Sequence, residues 1–378
     1  MGIRPLTVMN LVSGDGRGGA DRLALDLSKG LKRRGHRVIW GCPSIYYLMD
    51  EVLAAGLETY TLDFSGSMDM SPLVPFLRFC RTEKVDIVNV HHSHGRHLLV
   101  AARLLCLKSK AVFTRHCISG STPYIGAFFY NLVLDMNIAV SDVVRQSLLR
   151  GGIWPEKVVT VYGGIDSKNF DEVPSDKVEE IREKYAGTGK FTIGIVARTG
   201  LHGTPRGDKP SLKRHEVLFK ALADIGGDID VLVLGACREE EIESLKLIAR
   251  HNGLDPTKLL FAGFQNTIAP FYKIMDLKVL PSPNEGLGLV IIEAMAAGVP
   301  CIGADGGGIR EIIDDGVNGF LFTPGDSKAL AEKIRTLRED AEIRDRFIRN
   351  GKEKVARIFD IEHTVLETEK VFYGLASR

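Results

Sequence analysis

The chain has 378 residues, 44% of them apolar and 26% charged, with 49 Lys+Arg against 48 Asp+Glu; this is an ordinary globular composition, long enough for two domains, and it gives no reason to expect a nucleic-acid partner. The six cysteines, at 42, 80, 106, 117, 237 and 301, form no C-x-x-C pair, which speaks against a zinc ribbon or a disulfide framework. Charge is uneven: residues 1–170 hold 20 Lys+Arg against 14 Asp+Glu and residues 171–378 hold 29 against 34, so the first half suits an anionic partner such as a phosphate, an acidic glycan or a membrane surface.

Short apolar runs alternate with helical patterns. Residues 6–12 read as a strand, 20–34 as an amphipathic helix and 37–42 as the next strand. Further strands are expected at 85–90, 111–114, 137–140 and 158–162. The grammar repeats at 191–196, 231–234, 258–261, 277–280 and 299–303. Such alternation predicts an α/β fold: two Rossmann-like, doubly wound parallel-sheet domains, with ligands at the carboxyl ends of the strands. The polar, proline-bearing stretch 166–175 marks the break. Expected domains are 1–170 and 171–358, followed by a tail, 359–378, with helical spacing from Ile361. The start of the sequence is too broken for a signal peptide. The nearest approach to a membrane span, 125–140, is interrupted by Asn131, Asp135 and Asn137. A reducing cytoplasm is therefore the expected location, with peripheral contact at the inner face of the membrane through the basic half.

Several loops carry chemistry. Gly14, Gly16 and Gly19 match G-x-G-x-x-G after the first strand, so a nicotinamide-dinucleotide oxidoreductase has to be weighed. The acid that should end the second strand to hold a ribose is missing from Val38–Pro43. The run 91–97 holds His91, His92, His94 and His97 with Arg96. No Cys or carboxylate stands nearby to complete a zinc site, so loop histidines facing a bound molecule are the better reading. The string 282–300 holds Glu285 in a Pro/Asn/Gly loop and Glu293 one to two turns into a helix that starts near Gly288. A helix start offers unpaired N–H groups and a positive dipole end to phosphate, and Glu293 can accept hydrogen bonds from vicinal ribose hydroxyls.

Glu285, Gly286, Gly288, Glu293, Ala294, Met295, Ala296, Gly298 and Pro300 together resemble the signature of the retaining GT-B glycosyltransferases of family 4, also called group 1. The resemblance extends over nearly the whole chain, strongest at 276–319. It implies two domains facing across a cleft, an acceptor-binding domain at 1–170, a donor-nucleotide-binding domain at 171–358, and a last helix crossing back to the first domain. It also implies transfer of a sugar from a nucleotide diphosphate sugar, a UDP-sugar favoured, to a glycan or glycolipid acceptor, as in cell-envelope polysaccharide or lipopolysaccharide synthesis, with no metal and no cofactor.

Carried over residue by residue, Arg198 and Lys213 would hold the departing diphosphate, Glu285 would orient the sugar and His116 would lie beside it. Gly18, Gly19, Phe264, Ile268, Gly286, Leu287, Gly288, Leu289 and Glu293 would line the donor, and His91, His94 and Arg96 the acceptor. Two departures stand out. The insert 199–212 separates Arg198 from Lys213 more widely than the pattern does, leaving Lys209 as a rival to Lys213, and Gly163-Gly164 replaces the usual Asn-Gly. A sugar-nucleotide epimerase on the same scaffold and a non-catalytic nucleotide-sugar binder remain alternatives.

Overall fold

The computed structural model describes residues 4–66, 69–118, 124–185, 190–197, 213–235 and 238–377. The chain divides into two compact units. One holds the residues up to Ile165 together with those from Phe359 on; the other spans Asp166–Ile358.

The first unit is a seven-stranded parallel sheet: β1 (Thr7–Leu11), β2 (Arg37–Cys42), β3 (Glu58–Thr61), β4 (Ile87–Val90), β5 (Lys110–Arg115), β6 (Met136–Ala139) and β7 (Val158–Thr160), in the order β3-β2-β1-β4-β5-β6-β7. The second is a six-stranded parallel sheet: β8 (Phe191–Val196), β9 (Ile229–Leu234), β10 (Leu259–Gly263), β11 (Leu277–Leu280), β12 (Cys301–Ala304) and β13 (Phe320–Phe322), in the order β10-β9-β8-β11-β12-β13. Both orders reverse once, at β1/β4 and at β8/β11. A doubly wound sheet opens a ligand crevice beside the carboxyl ends of the strands at such a reversal.

Two edge strands are additions to the expected set. β3 reads Glu-Thr-Tyr-Thr, largely exposed and with no apolar run, and β13 is only three residues long. The helix Gly19–Arg33 turns Leu23, Leu27 and Leu31 inward. Its Gly30 lies so close to the last helix, Ile361–Ala376, that a Cβ would come 2.2 Å from Val365. Glu369 on that helix accepts from His36 Nε2 at 2.8 Å and from Arg34.

The boundary falls five residues ahead of the sequence-based one. The first unit ends at Ile165, whose N–H donates to Phe359 and whose carbonyl accepts from Ile361, both at 2.9 Å. The segment beyond it forms a short helix, Lys168–Asp171. Phe170 from that helix packs against the Tyr272 ring, 6.0 Å between centroids, and so draws the expected linker into the second unit.

Candidate functional site

In the second unit the loop after β11 carries Glu285. It is clamped from behind by the turn that follows β12. Gly308 N–H donates to the Glu285 carbonyl at 2.9 Å. A Cβ on Gly306 would meet the Pro283 carbonyl at 2.6 Å, one on Gly307 the Glu285 carbonyl at 2.4 Å, and one on Gly308 the Gly286 carbonyl at 2.5 Å. Gly307 also has φ +55. This backbone-on-backbone packing is open only to glycine. The packing makes this glycine run the support of the Glu285 loop.

Glu285 Oε1 accepts from Lys213 Nζ at 2.6 Å. Lys213 lies two residues ahead of the helix His215–Ile225. Arg214 between them holds a left-handed φ of +56, uncommon for a residue with a Cβ. The loop ends at Gly288, φ +105, which caps the helix Leu289–Ala296 and leaves its first N–H groups facing the loop. Gly286 and Leu287 are buried in that loop, with Leu289 opening the helix. Glu293 is buried on the same helix, and its Oε2 accepts from the Tyr272 hydroxyl at 2.8 Å. Burial, with Glu293 beside it, drives the Tyr272 phenol well above its ordinary range, so it stays a donor. Phe264 and Ile268 stand after β10, Ile268 capping the helix Ala269–Tyr272. Arg198, Lys209 and the insert 199–212 lie outside the described residues.

In the first unit the polar groups at the β1/β4 reversal form a network through the sheet. Asn10 on β1 and Asn89 on β4 are paired in register. Asn89 Nδ2 donates to Asn10 Oδ1 at 3.0 Å, Asn10 Nδ2 to Ser28 Oγ at 2.7 Å, and Thr114 Oγ1 to Asn89 Oδ1 at 2.8 Å. His91 Nε2 lies 3.2 Å from Asn10 Oδ1, and its Nδ1 lies 3.0 Å from His116 Nε2. Burial pushes His116 down to about 3 and His91 well below its usual range, so both rings are neutral. The chain of hydrogen bonds ends on His116 Nε2.

This placement corrects the reading of the histidine run as a loop. β4 ends at Val90 and a helix, Ser93–Leu104, begins three residues later with His92 as its cap, so His94 and Arg96 lie in a helical first turn. His91 is 4% exposed and is spent on the hydrogen bond to His116. The Arg96 guanidinium is laid over the rings of Tyr130, 4.7 Å, and Phe113, 5.4 Å, and His94 packs near Phe64.

Gly18 caps the helix Gly19–Arg33, and its N–H donates to Asp21 Oδ2 at 3.3 Å. Asp21 is buried and also accepts from the Tyr46 hydroxyl at 3.2 Å, with His92 Nε2 3.8 Å away. Burial raises its carboxyl pKa, opposed chiefly by His92. Tyr46, Tyr272 and the two asparagines went unread in the sequence because each sits inside an ordinary apolar run.

Two parallel-sheet units, each with polar groups at its reversal of strand order, are the build of a GT-B protein. Residues 209–354 match the family described as Glycosyl transferases group 1, and residues 17–169 the one described as Glycosyltransferase Family 4. The uncharacterized glycosyltransferase MJ1178 of Methanocaldococcus jannaschii is 32% identical over 305 residues, 78% of this chain and 77% of that protein. The N-acetyl-alpha-D-glucosaminyl L-malate synthase of Bacillus anthracis is 26% identical over 379 residues, 95% of this chain and 94% of that one. Among solved structures, Anabaena Alr3699/HepE in complex with UDP-glucose superposes with a TM-score of 0.85 at 21% identity, over 98% of this chain and 100% of that one. The chain belongs to the group 1 glycosyltransferases of family 4.

Proposed function

We propose that this glycosyltransferase is a retaining, metal-independent enzyme that moves a sugar from a nucleotide diphosphate sugar, a UDP-sugar first among them, to a glycan or glycolipid of the cell envelope. The observation that carries the reading is the Lys213–Glu285 pair, 2.6 Å apart at the β8/β11 reversal, in the unit whose helix Leu289–Ala296 begins at Gly288. A cation and open helix N–H groups suit a diphosphate; a carboxylate beside them suits sugar hydroxyls. The Anabaena protein, solved with UDP-glucose bound, supports the same donor class.

In the proposed reaction the bond from C1 to the phosphate oxygen breaks with its electron pair passing to the diphosphate. C1 takes on oxocarbenium character, the acceptor oxygen bonds to it from the same face, and the acceptor proton goes to the departing phosphate oxygen. Lys213, and by resemblance Arg198, bears the charge on the leaving group. A diphosphate competes with Glu285 for Lys213, so donor binding frees the carboxylate for the sugar. Glu293, held by Tyr272, would accept from the ribose hydroxyls, and by resemblance the neutral His116 would donate to a sugar hydroxyl.

Among the described residues no helix is long and apolar enough to cross a membrane. Phe128, Phe129 and Leu132 are exposed on the helix Tyr124–Val133, as are Leu104 and Leu105 at the end of its neighbour, and these support peripheral membrane contact by the first unit.

The test is a thermal-shift panel of UDP, GDP and ADP and their sugars, followed by NMR of the product linkage. One nucleotide at 100 times its Kd should stabilise the protein by about 2.7 kcal/mol, and the product should keep the donor's anomeric configuration. Inversion at C1 defeats the retaining mechanism. Change of the sugar nucleotide without acceptor turns the reading towards epimerisation.

A further inference from the structure

Lys278 lies inside β11 and is 0% exposed. It pairs with Cys301 of β12 on one side and Gly194 of β8 on the other. Leu277 and Val279 belong to the core on one face of the sheet, so strand alternation puts Lys278 on the other. Lysine is almost never fully buried unless it is paired. Here Nζ donates to the Val279 carbonyl at 3.1 Å, whereas an ammonium has three donors to satisfy.

Its strand partner Cys301 has Sγ 3.9 Å from the Ile291 carbonyl, so this part of the sheet lies against the helix that carries Glu293. Glu293 acts on it from the helix Leu289–Ala296, Glu285 from the loop after β11, Lys213 from ahead of the helix His215–Ile225, and Cys301 from β12. His215, buried in that last helix, feels the Lys278 charge in turn, and Tyr272 stands behind Glu293. Burial is the largest influence and pushes Lys278 down to about 7; the thiol and the two carboxylates pull it up and Lys213 pushes it down.

Resting on the reading of this unit as a nucleoside-diphosphate site, we propose that Lys278 is a buried positioning residue of that site, which takes up a proton from solvent when the diphosphate binds. In the empty site Lys213 neutralises Glu285. A diphosphate that draws Lys213 away brings its own negative charge and uncovers that of Glu285. The field at Lys278 then favours the ammonium. No substrate atom touches it.

The experiment is calorimetric titration of the full chain with UDP at pH 8 in two buffers of unlike ionisation enthalpy, repeated from pH 7 to pH 9. The wild type should take up a large fraction of a proton per UDP, and affinity should fall with rising pH by at most about tenfold per unit. Lys278→Met, which cannot be charged, and Lys278→Arg, which is always charged, should bind with that uptake removed and a flatter pH profile. Lysine labelled at Cε gives a reading without substitution: one resonance should pass from the amine to the ammonium position as UDP is added. Binding with no uptake by the wild type, uptake unchanged in the variants, or every lysine already an ammonium before UDP is added overturns the proposal. Failure of UDP, GDP and ADP alike to bind instead removes the donor-site reading, and this inference with it.

Discussion

The two sheets share one architecture and differ in what they place at the reversal of strand order. At β1/β4 the groups are amides, hydroxyls and neutral histidines, linked from Ser28 through Asn10 and Asn89 to His91 and His116. At β8/β11 they are a paired lysine and glutamate, with a second buried glutamate on Tyr272 and a buried lysine within β11 itself. A neutral network fixes the direction of a hydrogen bond without attracting charge, which suits a hydroxyl. A charged pair that can be prised apart suits an anion. The scaffold supplies the place, and the side chains on the strand ends supply the chemistry.

The sharpest break of this contrast is Glu285→Gln, which keeps the shape and removes the charge. Turnover should fall by roughly 10²–10³, about 3–4 kcal/mol of transition-state stabilisation, with a smaller change in UDP affinity; steady-state kinetics beside direct binding reads both. Unchanged turnover would mean that the charged edge is not where transfer occurs. Next comes its support. Gly307→Ala sets a Cβ 2.4 Å from the Glu285 carbonyl at a left-handed φ, and should cost about 2–3 kcal/mol, seen as a lower Tm together with weaker UDP binding. A full-activity, full-stability variant would show that the loop does not depend on that packing.

The neutral edge, and with it the buried His215 of the second unit, is tested by acid. His91, His116 and His215 have pKa values lowered by burial, so the unfolded chain binds protons that the folded one does not. Stability from these groups is complete above their unfolded value near 6.5 and is lost as pH falls below it. Between pH 7 and pH 6 the three together should remove about 2 kcal/mol, measurable by urea unfolding. A rise in stability over that interval would mean that the histidines fold charged. The smallest effect is expected from Thr114→Val, which leaves the Asn89 amide oxygen without its hydroxyl donor. It should cost about 1 kcal/mol and lower turnover slightly through His116, with donor binding unaltered.

The sheets were legible because buried parallel strands read as apolar runs. Phe191–Val196 and Leu277–Leu280 are observed with the bounds expected from their apolar runs. β3 escaped because an exposed edge needs no apolar run. Glu285, Glu293 and Gly288 were legible because a glycine cap and its flanking acids are local in sequence. The partners that hold them were not: Tyr272 is 21 residues from Glu293, and Asn10 is 81 from His91. Lys278 sits among Leu277, Val279 and Leu280, where its neighbours' hydrophobicity hides it. Four histidines in seven residues read as one loop, whereas His91 and His92 stand between β4 and the helix while His94 and His97 lie inside it.

The backbone bonds that tie Ile165 to Phe359 and Ile361 have a topological meaning. The chain departs from the first unit and re-enters it at adjacent points, so everything from Asp166 to Ile358 is an excursion from an otherwise continuous fold. A short bridge across that gap would leave the seven-stranded sheet and its closing helix continuous, a chain expected to fold alone.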